Sequence, residues 1–173
     1  MSAVIGVDPG VNGGIAVLGA NGAVLFAYGV SPELPERALA KVCGEAADIL
    51  RMAGGGPAFV EKVQHQTGDG GKGSFTFGGV YRFVRACLIM KEVILVNVYP
   101  QAWQSHLDCM TGGNKKISLA KAKELFPAQF PAGMTQEAAM RIADALLIAE
   151  YGRRMTTARE AATANWPDPL TEA

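Results

Sequence analysis

The stretch VIGVDPGVNGG, residues 4–14, decides how the rest of the chain reads. A short β-branched run meets one carboxylate, Asp8, and stops at once in Pro9 and Gly10. That pattern predicts a buried strand over residues 4–7 with Asp8 at its carboxyl end. Residues 14–18 predict a second strand. Asn21-Gly22 is a strong hairpin signal, so residues 23–28 predict a third. The chain therefore opens as an antiparallel three-strand meander with an aspartate at the end of its first strand.

Working outward, apolar residues at helical spacing (Leu39, Val42, Ala46, Ile49, Leu50) predict a helix over residues 32–52, stopped by Gly54-Gly55-Gly56-Pro57. Residues 58–61 read as a fourth strand, which also ends on a carboxylate, Glu61. QHQTGDGGKG, residues 64–73, reads as a polar, mobile loop. A helix is expected over 77–90, a strand over 93–98 and a short helix over 100–107, with Pro100 at a permitted first position. TGGNKK reads as a second flexible loop. Helices over 118–126 and 135–154 complete the order βββαβαβααα. Strands separated by helices lie parallel to the first strand. The expected fold class is α/β: a mixed five-stranded sheet, its first three strands antiparallel and its last two parallel to strand one, with helices on both faces. Residues 1–155 are expected to form one domain and residues 156–173 a partly disordered tail.

Composition narrows the function. The 173 residues suffice for one domain, and 49% are hydrophobic, enough for one core. No apolar run is long enough for a membrane span and the start lacks a basic signal-peptide region, so a cytoplasmic protein is expected. Cys43, Cys87 and Cys109 are widely spaced, which predicts idle thiols rather than zinc ligands or disulfides. Net charge is zero, yet Lys72, Arg82, Arg85, Lys91, Lys115, Lys116, Lys121 and Lys123 are opposed within their span only by Glu92 and Asp108. A local basic field of that kind suits phosphates.

Asp8 and Glu61 at the ends of neighbouring parallel strands share one edge of the sheet, where ligands of such sheets collect. A third acid, Asp144, lies within the apolar helix segment RIADALLIAEY, a costly place unless it is paired or holds a metal. Each acid alone also reads as an ordinary turn, strand-end or helix residue. Together they predict a site for Mg²⁺, with Mn²⁺ as a substitute, because oxygen-only ligands favour those ions. Two such ions about 4 Å apart activate a water and stabilise the leaving oxygen in phosphodiester cleavage.

VIGVDPGVNGGIAV, FVEKVQ and ADALLIAEYGRR, with VYPQAWQSHL and ISLAKAKELFP between the last two, resemble the RuvC group of Holliday-junction resolvases, especially its shorter bacteriophage-type members. The resemblance implies an RNase H-like fold and a homodimeric, Mg²⁺-dependent endonuclease that nicks two strands of a four-way DNA junction, in a bacterium or in the host cytoplasm of a phage. It makes Asp8, Glu61 and Asp144 the metal ligands. It also places Lys115 and Lys116 near the scissile phosphate, with Lys116 taken as a catalytic cation. Lys72, Phe75, Arg82, Lys115, Lys116 and Lys121 are the expected DNA contacts, with Phe75 able to stack on bases and Phe77 a weaker candidate. Trp103 reads as a core or interface residue.

One position departs from the group. A fourth acid or histidine is commonly found one turn before the last aspartate, where this chain has Met140 and Arg141. Glu137 lies about 10 Å further up the helix axis. Asp69 or His65 in the loop are the other substitutes, and a weakened site that binds junctions without cutting is the remaining alternative. Two other readings stand beside the resolvase: the same fold cutting flaps, forks or RNA:DNA hybrids, and an ATP-binding module of the actin or sugar-kinase type.

Overall fold

The structure, a computed structural model, describes residues 2–62 and 71–164, the side chains of 71–77 and 161–164 excepted. Strands β1 (Val4–Asp8), β2 (Gly14–Leu18) and β3 (Val24–Gly29) form the meander, followed by α1 (Glu36–Met52) and β4 (Ala58–Glu61). Then come α2 (Gly71–Met90), β5 (Leu95–Val98), α3 (Pro100–His106), α4 (Lys115–Leu125) and α5 (Gln136–Ala164). The sheet order is β3-β2-β1-β4-β5, with β1, β4 and β5 parallel and the other pairs antiparallel. This is the mixed sheet that the sequence predicts.

The pleat sorts side chains onto two faces. Ile5, Val7, Ile15, Val17, Ala58 and Val60 pack with α1 and α2 in one core. Val4, Ala16, Leu18 and Phe59 pack with α3, α4 and α5 in the other. By the same alternation Gly6 and Asp8 face α5.

Helix α5 lies between the sheet and α4, so residues 142–150 are buried on every side. Its seat is unusually close. A Cβ at Gly6 would overlap the Ala145 carbonyl oxygen and the Ala149 amide nitrogen, and one at Gly14 would overlap the Arg141 carbonyl oxygen. Leu146, Leu147 and Ile148 are fully buried around this seat, worth about 1.5–3 kcal/mol each in transfer free energy.

Four boundaries differ from the sequence reading by three residues or more. Helix α1 starts at Glu36, because Pro35 holds an extended backbone at the cap position. Helix α2 starts at Gly71, earlier than expected; glycine's low helix propensity hides its first turns from a reading by residue type. Helix α4 starts at Lys115, because the Asn114 side chain caps it by accepting from the Lys116 amide. Helix α5 continues to Ala164, into the segment expected to fray. Met155 packs against the core and Ser2 Oγ donates to Glu160 Oε1 at 2.7 Å. Residues 165–173 and 63–70 lie outside the described residues, as do His65 and Asp69. Among the described residues no helix is long and apolar enough to cross a membrane.

Candidate active site

The register β1 to β4 pairs Val7 with Val60, so Asp8 and Glu61 follow as adjacent residues on neighbouring parallel strands. Both leave the sheet on the α5 face. The close seat of α5 brings Asp144 to the same place. Asp8 and Asp144 are almost fully buried and Glu61 is partly so.

The carboxylates have few partners. Asp8 Oδ1 accepts from the Gly10 amide at 3.2 Å. Glu61 Oε1 accepts from the Trp103 indole Nε1 at 2.9 Å. Asp144 Oδ1 is buried without a hydrogen-bond partner among the described residues. The opposing charge is Lys115, whose ammonium lies 3.3 Å from Asp144 Oδ2 and 4.0 Å from Asp8 Oδ2. Its backbone is held by the Asn114 cap and by Ser118 Oγ, which donates to the Lys115 carbonyl at 3.1 Å.

Electrostatics follow from burial and crowding. Burial pushes the Asp8 carboxyl above its usual range, Lys115 pulls it back, and the Asp144 charge raises it again. Burial, then the charges of Asp8 and Asp144, push Glu61 up to about 7 against the lowering effect of the Trp103 hydrogen bond. Burial disfavours the Lys115 ammonium, but Asp8 and Asp144 outweigh it and raise its pKa. The three acids thus sense one another, and one ammonium offsets part of their repulsion.

The donor set suits a hard divalent cation: oxygen only, with one buried carboxylate oxygen lacking a partner and a positive charge already seated between two of the acids. As the side chains stand, no three acidic, histidine or cysteine groups among the described residues are drawn together tightly enough to share one ion.

The remaining sequence candidates fall elsewhere. Lys116 is exposed, and it is Lys115 that reaches the acids. Lys121 pairs with Glu124 at 2.9 Å. Arg82 is exposed on α2. Lys72, Phe75 and Phe77 belong to the α2 backbone, but their side chains lie outside the described residues. Glu137 is exposed and bonded to Arg141 Nη2 at 2.6 Å, so it is turned to its own helix neighbour. Met140, in the first turns of α5, is partly buried against the core. The sequence reading missed the bond from Trp103 to Glu61 and the primacy of Lys115. The Asn114 cap was a legible signal for the latter, because it fixes where α4 begins.

The architecture matches solved structures of Thermus thermophilus RuvC. One, in complex with a Holliday junction substrate, superposes with a TM-score of 0.61 at 18% identity, covering 91% of this chain and 98% of that one. A second RuvC structure from the same organism gives a TM-score of 0.60 at 18% identity, covering 90% and 97%. The chain has the RuvC fold. No protein-family model and no curated protein matches the sequence. Within the RuvC fold, the three acids stand at two strand ends and in the final helix, on one face of the sheet.

Proposed function

We propose that this protein is a Mg²⁺-dependent, structure-selective endonuclease that resolves four-way DNA junctions by paired nicks, working as a homodimer. The observation that carries this reading is the convergence of Asp8, Glu61 and Asp144, from three sequence-distant elements, on one partly desolvated spot. The likeness to a RuvC that was solved on a Holliday junction supports the choice of substrate. Two active sites facing two symmetric strands are the physical reason for a dimer.

Asp8, Glu61 and Asp144 would hold Mg²⁺ or Mn²⁺, which supplies an activated water and charge neutralisation at the phosphodiester. The protein's own part is preorganisation. The sheet fixes Asp8 and Glu61 at adjacent strand ends, and α5 fixes Asp144. Trp103 orients Glu61 through its bond to Oε1. Lys115 brings a cation to the side of the cluster where a phosphate would approach. Lys116 and Arg82, both exposed, are proposed phosphate contacts, with Lys72, Phe75 and Lys121.

The test is cleavage of a labelled four-way junction beside a linear duplex, a flap and an RNA:DNA hybrid, in Mg²⁺, Mn²⁺ or EDTA, with wild type and Asp8→Asn. Paired, metal-dependent nicks confined to the junction and lost in Asp8→Asn are expected. Cleavage of another substrate alone would overturn the choice of junction. Junction binding without cleavage in either metal would mark the departure at Met140 and Arg141 as disabling.

A further inference from the structure

The position of Lys115 has a consequence for how the acid cluster takes up a cation. We propose that the Lys115 ammonium is a displaceable internal counter-ion, holding Asp8 and Asp144 together when no divalent cation is bound and leaving when one binds. The inference rests on the metal-dependent reading above and concerns the regulation of that same site.

Three observations carry it. The ammonium sits between two carboxylates that are otherwise poorly partnered among the described residues: 3.3 Å from Asp144 Oδ2, 4.0 Å from Asp8 Oδ2, with Asp144 Oδ1 given no partner there. A divalent cation ligated by the same oxygens would meet a like charge at contact distance, so the two occupancies exclude each other. The Lys115 side chain is 56% exposed whereas those of Asp8 and Asp144 are about one-tenth exposed, so it can leave without opening the core.

The third observation is its setting. Lys115 is the first residue of α4, and no acid stands in that first turn. A cation there opposes the helix dipole, so the carboxylates are what favour its inward position. The preceding Gly112 and Gly113 take positive φ, and a Cβ at either would meet nothing within 4 Å among the described residues.

The displacement predicts an antagonism that has nothing to do with turnover. Lys115→Met should bind Mn²⁺ about tenfold or more tightly by calorimetry without DNA. The same variant should melt lower than wild type in EDTA and draw level at saturating Mg²⁺. Lys41→Met, a charge-matched change on exposed α1 on the other face of the sheet, should alter neither quantity. In the wild-type protein, amine-selective acetylation read by mass spectrometry should label Lys115 slowly in EDTA and several-fold faster in Mg²⁺. This second readout does not depend on the variant folding.

Equal or weaker Mn²⁺ binding by Lys115→Met, or Lys115 labelling indifferent to Mg²⁺ while wild type binds the ion, would overturn the counter-ion and leave the metal site standing. Absence of Mn²⁺ binding in both proteins would overturn the metal site itself, and the counter-ion with it.

Discussion

The Trp103 indole donates to Glu61 Oε1 at 2.9 Å, joining α3 to the end of β4 beneath the acid cluster. The bond favours the ionised carboxylate in a place where burial disfavours it. Trp103→Phe removes the donor and part of a fully buried side chain. A stability loss of about 2–4 kcal/mol is expected in urea unfolding. Glu61 should titrate still higher than about 7. The acid limb of the nicking-rate pH profile should move to higher pH while its plateau is retained. A uniform fall in rate with an unmoved limb would argue against a positioning role.

Without divalent cations, stability should fall as pH rises from near 4.5 to about 7. Glu61 titrates near 4.5 ordinarily and near 7 in the fold, so across that window the folded chain holds more protons than the unfolded one. Its protonation favours folding at the low end, and that contribution is gone above about 7. Asp8, also raised by burial, adds in the same sense. Thermal melts in EDTA across this range should show the decline, and Glu61→Gln should reduce it. Mg²⁺ binds the ionised form, so the increase in Tm on adding Mg²⁺ should grow with pH.

Two glycines face opposite demands, one in the seat of α5 and one on α2. Gly6→Ala would drive a methyl group into the backbone of α5 and lift Asp144 away from Asp8. A loss of about 3 kcal/mol or more is expected. Gly79→Ala, in α2 with nothing within 4 Å of its added carbon, should instead stabilise by about 0.5–1 kcal/mol. Denaturant midpoints of the two variants would move in opposite directions.

Burial pushes the Cys43 thiol up to about 12, aided by Cys87 across the α1–α2 contact. The thiolate is the reactive form. Iodoacetamide at mildly alkaline pH should leave Cys43 unmodified in the native protein and label it on unfolding. Peptide mapping would read this directly.

Much of this was legible in the sequence because it depends on short-range patterns. The β-branched run into Asp8-Pro9-Gly10, the Asn21-Gly22 turn and the four-residue run into Glu61 each declare a strand and its end. The apolar surroundings of Asp144 declare a buried acid. Other features depend on contacts between distant segments. Whether Lys115 or Lys116 meets the acids turns on one cap residue, Asn114. The bond from Trp103 to Glu61 joins residues on separate elements, and an indole's donor is invisible to hydropathy. The close seat on Gly6 and Gly14 appears only once α5 is laid across the sheet. Glu137 carried the right chemistry for a ligand, but Arg141, one turn away, engages it.

The cluster draws on β1, β4 and α5 alone, and none of its acids stands in a connecting loop. Lengthening the exposed turn at Gly112-Gly113, ahead of Asn114, leaves the register of Asp8 against Glu61 untouched. Inserting one residue within β4 would turn Glu61 to the opposite face. The molecule therefore divides into a part that tolerates no change of length and a part that accepts one, so that grip on a partner can be redesigned without touching the acids.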